Sequence, residues 1–346
     1  FKTSDKKGLS EAMKNIKYGD YFFDQKISYG YIKAYNYYAK AYEYNKSNAI
    51  LNYKIGVCII LGQLHYNALV YLEEAYNQNA NLTEDLDFFY ARSLHLSNSF
   101  EEAIKHYEAY EKKNLKNKTS VSKYIEECIN GKNLKKNPKI VFIKNMKEIN
   151  SPFKDYCTML TADGREMYFT SRRPTMFGNV DPNDNMYFED IYYSKKDTSG
   201  WSLPQYVKSL NTQFHDDVVG LSQDGNTLII YRDGDLFYCE KNGDKWTQPK
   251  AFPKTINSSQ IESSACFSPD GRTLYFVRGK NIDKPQESNA DIYYSKQDEK
   301  GNWSEPIKIS SNINSSYDED GLFMLEDGKT LYLRSKGHNR IGGYDI

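Results

Sequence analysis

The chain has 346 residues, enough for two or three domains, and its 39% apolar and 15% aromatic content suits packed cores rather than disorder. Lys plus Arg and Asp plus Glu both total 46, so no global field gathers nucleic acid or an anionic lipid surface. Cys58, Cys128, Cys157, Cys239 and Cys266 show no CxxC or Cys/His spacing, which favours buried free thiols over a disulfide framework and signals no metal.

Residues 1–137 read as helices. Ala34, Tyr38 and Ala41 recur 34 positions later as Ala68, Leu72 and Ala75, and after a further 35 as Ala103, Tyr107 and Tyr110. That period is the tetratricopeptide one, in which small residues let paired helices approach and a large one fills the space between them. The pattern predicts helices near 9–24, 30–45, 49–62, 66–79, 84–97 and 100–113, with a closing helix near 119–134 that Pro138 ends. The concave face of such an array would present Tyr53, Val57, Ile60, Phe88, Arg92 and His95 as candidate partner-binding residues; packing against the closing helix or the neighbouring domain is the alternative.

Residues 138–346 read as β-propeller blades. Ile149-Asn150-Ser151, Leu210-Asn211-Thr212, Ile256-Asn257-Ser258 and Ile313-Asn314-Ser315 are each followed by Asp-Gly, at Asp163, Asp224, Asp270 and Asp327, and the Asn always precedes the Asp by 13 positions. Asp-Gly marks a hairpin turn, and the strands after it read Met167-Tyr168-Phe169, Leu228-Ile229-Ile230, Leu274-Tyr275-Phe276 and Leu331-Tyr332-Leu333. A further strand follows in Asp190-Ile191-Tyr192-Tyr193 and its copies, then Trp-x-x-Pro at Trp201, Trp246 and Trp303, where the Pro opens an outer strand. Length varies in one connection only, long at Arg172 to Glu189, short at Arg232 to Gly234 and intermediate at Arg278 to Ala290, which would place the insertions on one face.

Pro138 to Asn150 resembles an outer strand without a blade. Ring closure would explain it, with residues 138–150 as the strand borrowed by a last blade, blades running from 155, and the fourth visible blade truncated at Ile346. The expected architecture is therefore multidomain α plus all-β, an N-terminal α-solenoid over 1–137 followed by a propeller of six or seven blades that this sequence leaves incomplete.

Asp155, Asp217, Glu262 and Asp320 fall just after each repeated Asn, leading into the innermost strands, and so gather at one mouth of a central channel. They offer a cation, basic-peptide or glycan site, or hydrogen-bond acceptors for the turns between blades. GxSxG, HExxH, P-loop and GxGxxG motifs are absent, so no catalytic residue, metal ligand or cofactor is expected. Gly337, His338, Gly342 and Gly343 read as an inter-strand turn rather than a phosphate cradle.

The strings "TADGREMYFTSRRP", "FEDIYYS", "SPDGRTLYF" and "RSKGHNRIGGYDI", behind tetratricopeptide-like helices, resemble the PorE-like family of Bacteroidota periplasmic proteins. These combine helical repeats, WD40-like TolB-type blades and an OmpA-like domain. The resemblance implies a non-enzymatic scaffold of the type IX secretion or gliding machinery. It would sit in the periplasm in association with the outer membrane and dock protein partners there. Peptidoglycan would be bound through an OmpA-like domain that this sequence does not contain, and nucleic acid would not be a partner. The alternative is a propeller enzyme, or a glycan- or peptide-binding module, using the acidic channel mouth.

Overall fold

The computed structural model describes residues 5–113, 120–175, 178–182, 184–281, 289–338 and 340–346. The chain divides into two compact units, Phe1–Lys139 and Ile140–Ile346.

The first unit contains α1 (Lys6–Phe23), α2 (Ser28–Tyr42), α3 (Ala49–Leu61), α4 (Ala68–Gln78), α5 (Leu86–Leu96), α6 (Phe100–Lys113) and α7 (Ser122–Lys136). Short polar side chains start several of them. Asp5, Asn48 and Asn67 accept from Gly8, Leu51 and Leu69 N–H at 2.9, 2.8 and 3.0 Å, satisfying donors that a helix N-terminus leaves unpaired. Each helix packs on the next. The positions that recur in the sequence, from Ala34, Tyr38 and Ala41 to Ala103, Tyr107 and Tyr110, are all buried. Gly56 shows why a small residue is needed: a Cβ there would stand 2.4 Å from Leu72 Cγ. α2 ends at Tyr42, three residues before the expected boundary, where the Asn45 side chain accepts from Ser47 N–H at 3.1 Å and turns the chain, and α4 ends one residue early at Gln78. The expected start of the last helix, at 119, lies outside the described residues. No helix of the described residues is long and apolar enough to cross a membrane.

The second unit is built of antiparallel sheets. The first joins β1 (Asp155–Leu160), β2 (Glu166–Ser171) and β3 (Asp190–Asp197) in order, with the short strands β4 (Gly200–Trp201) and β5 (Gln205–Tyr206) both on β3. The second repeats it with β6 (Asp217–Leu221), β7 (Thr227–Arg232), β8 (Asp235–Asn242), β9 (Lys245–Trp246) and β10 (Lys250–Ala251). The third consists of β11 (Gln260–Phe267), β12 (Thr273–Asn281), β13 (Asp291–Lys296) and β14 (Ile307–Lys308), and the last of β15 (Glu319–Met324) and β16 (Leu331–Ser335). First strands pack side by side, β1 on β6, β6 on β11 and β11 on β15, which is a propeller-like arrangement.

Strand alternation fills the space between sheets. Leu228 and Ile230 of β7 face the core shared with Tyr168, Ile191 and Trp246, while Ile229 between them faces the next core, with Phe252, Leu274 and Phe276. The Asp-Gly hairpins form as expected, with Gly164, Gly225, Gly271 and Gly328 at φ from +61° to +71° and the Asp side chain accepting from the backbone two residues on. Residues 138–150 form no strand pairing among the described residues, so the expected borrowed strand is not observed as one. Ile140, Val141, Phe142 and Ile143 are exposed and belong to no helix or strand. Most of the connection from Arg278 to Ala290 lies outside the described residues.

The repeated Asn ties one sheet to the next. Asn257, fully buried, accepts from Leu236 N–H at 2.9 Å and donates to the carbonyls of Leu236 at 2.9 Å and Phe252 at 3.2 Å. Asn211 and Asn314 do the same to Ile191 and Ile292. Replacing Asn257 by Ala removes the acceptor of the Leu236 N–H, while Leu236 O keeps the Phe252 N–H at 3.0 Å, so Asn257→Ala should lower stability by about 1–3 kcal/mol, read as a shifted urea midpoint at unchanged slope.

Candidate functional site

The candidate site lies where the first strands of the sheets begin, and it is built from a loop repeated with each sheet. In the first, Ser151 donates from its backbone N–H and its hydroxyl to the Asp155 carboxylate at 2.6 and 2.9 Å. Thr212 does so to Asp216, Ser258 to Glu262 and Ser315 to Glu319. An Arg then closes on the acid, Arg173 from just after the second strand on Asp155 at 2.7 Å, and from within the second strand Arg232 on Asp216 at 2.5 Å and Arg278 on Glu262 at 2.8 Å. Each Arg also donates to the carbonyl before the Asn, and its guanidinium lies over a core aromatic ring. Burial works against ionised Asp155, but the bonds from Arg173, Ser171 and Ser151 outweigh it and hold its carboxyl below the usual range.

The four acids expected at the channel mouth therefore separate into two kinds. Asp155 and Glu262 are structural clamps with filled acceptors, and their repeat equivalents are Asp216 and Glu319. Asp217 and Asp320 stand one residue further on, in a set of equivalent positions that reads Tyr156, Asp217, Ser263 and Asp320. A break in strand register follows each of these, between Tyr156 and Met159, Val218 and Gly220, Glu262 and Ala265, and Asp320 and Phe323. At the bulge Cys157 takes φ +49°, the left-handed conformation that Gly321 adopts at the same place in the last sheet. Nothing in the one-residue offset between clamp and inner acid could be read without the register.

Around Asp217 the groups converge. Tyr156 donates to Glu189 in a short hydrogen bond. His215 bridges Glu189 Oε2 at 2.5 Å and Asp181 Oδ2 at 3.1 Å, with the Phe188 ring against its own. Arg172 grips Asp184 through two nitrogens at 2.6 and 3.1 Å and donates to Tyr187 O at 2.6 Å. These partners come from the long connection between β2 and β3, so the one insertion is pinned against the start of β6. Asp217 Oδ1 is buried and has no hydrogen-bond partner among the described residues. Burial, reinforced by the Glu189 charge, lifts the Asp217 carboxyl to about 7, and burial with the Asp216 charge does the same for Asp190. Burial opposes ionisation of Glu189 too, yet the His215 and Tyr156 bonds prevail and hold it low, while the Glu189 bond raises His215. Burial pushes the Cys157 thiol up to about 12, so it is no ready nucleophile. Asp320 meets Arg334 at 3.0 Å and accepts from Ser263 at 3.3 Å. Among the described residues no three His, Cys, Asp or Glu side chains group closely enough to hold a metal ion.

The candidate partner-binding residues of the helical unit are packed inward. Tyr53, Val57 and His95 are buried. Tyr53 donates to Asp85 at 2.7 Å, and His95 Nδ1 lies 3.3 Å from the Tyr107 hydroxyl. Phe88 packs edge-on to Tyr124 of α7, and the Arg92 guanidinium lies 4.6 Å from the centre of the same ring. Ile60 is partly buried. The closing helix thus covers the end of the face that the sequence offered to a partner.

No protein-family model and no curated protein matches this chain. Similar solved structures include a protein assigned as 6-phosphogluconolactonase from Bacteroides uniformis, 11% identical over 51% of this chain and 63% of that one, with TM-score 0.31. A periplasmic gluconolactonase from Pseudomonas aeruginosa is 13% identical over 52% and 64%, TM-score 0.31. A protein assigned as TolB from Agrobacterium tumefaciens is 14% identical over 56% and 80%, TM-score 0.31. The chain spans less than two thirds of the length of either lactonase. The propeller-like arrangement rests on the strand pairing and the packing of first strands. The expectation that the chain is not an enzyme does not stand beside these findings, since two of the similar structures are described as lactonases. It is withdrawn, and the likeness itself assigns no reaction.

A carboxyl whose folded pKa lies above its unfolded value binds protons in the native state between the two. Asp217 and Asp190, at about 7, thus take stability away as pH rises from about 4 through 7, and raised His215 acts in the same direction at higher pH. Asp217→Asn should flatten that fall and raise stability at pH 8 relative to the parent, measured by chemical denaturation across pH 4–8.

Proposed function

We propose that the β-unit is a binding module that takes a basic peptide segment at the acidic inner-strand site, with Asp217 as the primary acceptor and Asp320 as the second. The observation that carries this is the buried Asp217 oxygen without a partner, on a carboxyl that burial and Glu189 keep protonated near neutrality. Such an oxygen is costly unless a donor fills it, and an arriving ammonium or guanidinium would both fill it and offset the charge that forms. Arg172 and Arg334 are already engaged by Asp184 and Asp320, which leaves carboxylate in excess around the site. Glu189 held ionised beside Asp217 held protonated is also an acid–base pair, the arrangement that hydrolytic chemistry uses. A hydrolysis screen therefore belongs with any binding measurement. Binding of a cation should expel the Asp217 proton, so affinity for a Lys/Arg-rich peptide should strengthen as pH rises through about 7. Asp217→Asn/Asp320→Asn should weaken it by roughly tenfold or more, about 1.4 kcal/mol, in calorimetric titration. Unchanged affinity in the double variant would remove the site from consideration.

A second reading follows from the resemblance and from the burial of every repeated helical position. Here α2 to α6 are tetratricopeptide pairs, the sheets are propeller blades, and the two units dock protein partners of a secretion or gliding complex in the periplasm. Co-purification from the native cell envelope should then recover outer-membrane components with the chain, and peptidoglycan only if an OmpA-like domain accompanies it. Recovery without envelope proteins would count against this reading.

A further inference from the structure

A groove of about 730 Å³ opens at the junction of the second and third sheets, away from the acidic site. Its walls are Tyr238, Phe252, Phe267 and Trp303, and its polar groups include Glu240, Gln297 and Asn302. Comparison with the preceding junction shows how it arises. There Tyr168 stands edge-on to Trp246 at 5.5 Å, and Lys241 crosses to Glu166 at 2.8 Å while lying over the same indole. One sheet on, Ile229 takes the place of Tyr168, Thr227 that of Glu166, and Gln297 that of Lys241, as the strand registers require. A ring and a long ion pair are exchanged for three shorter side chains, and the space they filled is left in front of Trp303.

The lining restricts what would enter. It contains no Lys or Arg among the described residues, so a phosphate or carboxylate ligand finds no counter-charge, and its one acid, Glu240, already meets Lys250 at 3.3 Å. A purely apolar ligand would leave the Thr255 hydroxyl unsatisfied: Thr255 Oγ1 is buried in the groove wall with no partner among the described residues, while the rim amides are held in place by donating to Gly301 O at 3.0 Å from Gln297 and to Asp298 at 3.1 Å from Asn302. What remains is a neutral molecule with an apolar face and a hydroxylated edge. We propose that this groove is a subsite for a neutral hexopyranose oligosaccharide, the sugar's C–H face against the partly exposed Trp303 ring and its hydroxyls toward Gln297, Asn302 and Thr255. Aromatic rings give such a ligand contact area at little entropic cost, and the fixed amides orient it.

The test is titration of the intact chain with cellotetraose, maltotetraose and chitotetraose, read by tryptophan fluorescence and confirmed by calorimetry. At least one should bind with a dissociation constant of about 1 mM or tighter. Thr227→Glu/Gln297→Lys rebuilds the ion pair of the preceding junction across the groove and should weaken that binding by roughly tenfold or more, with the thermal transition kept. Trp303→Phe, which preserves core packing, should weaken it as well and decides the matter if the double variant does not fold. Asp217→Asn/Asp320→Asn should leave it unchanged, which separates this groove from the acidic site. No binding by any of the three sugars, binding indifferent to the groove variants, or binding lost with the Asp217 and Asp320 variant would each overturn the proposal.

Discussion

The β-unit depends on one buried ion pair used repeatedly. At the passages from the first sheet to the second and from the second to the third a carboxylate accepts from a Ser or Thr two ways and from an Arg that also holds the backbone carbonyl before the loop, while at the last passage the Ser335 hydroxyl takes the place of the Arg on Glu319. Buried charges are expensive, and such pairs persist where several hydrogen bonds share the desolvation. Here the acid collects three donors, and the Arg gains a carbonyl and an aromatic face. The crossing is thereby fixed in length and direction, which lets neighbouring sheets keep a constant offset while the connection between second and third strands varies freely.

That rigidity is what allows adjacent positions to diverge. One residue beyond each clamp the chain bulges, and the side chains there, Tyr156, Asp217, Ser263 and Asp320, are chemically unlike one another although their frame is the same. Asp217 is left with burial, a like charge nearby and an unfilled oxygen because the long insertion brings Glu189 against it, held there by His215 from the loop before β6. The same logic operates between sheets, where the junction filled by Tyr168, Glu166 and Lys241 becomes a groove once those side chains shorten. In both places the repeat supplies the geometry and the departure from the repeat supplies the chemistry.

The helical unit follows a different rule, since its periodic small and large residues are consumed in packing. Gly56 against Leu72 and Tyr38 between its neighbours build the core, and α7 draws Phe88 and Arg92 onto Tyr124. A pattern of apolar residues on one helix face identifies what is buried without identifying against what, so a partner surface and an internal packing surface look alike in sequence.

The sequence by itself determined the α-then-β division, the hairpin turns and the constant Asn-to-Asp crossing, because these rest on local chemistry: positive φ at Gly, short side chains bonding nearby backbone, and apolar residues at fixed periods. It also located the acids within one residue. Tertiary structure alone decided which acids are clamps, that Asp320 pairs with Arg334 and that Asp217 keeps an unfilled oxygen, because these turn on a register break and on an Arg supplied from another strand. It alone showed Ile140 to Ile143 without a strand partner among the described residues, Tyr53, Val57 and His95 buried, and a larger cavity at the junction of the second and third sheets than at the preceding one, about 730 Å³ against about 430 Å³. Those outcomes depend on what stands opposite each side chain across the sheets and helices, and a single chain's spacing carries no record of that.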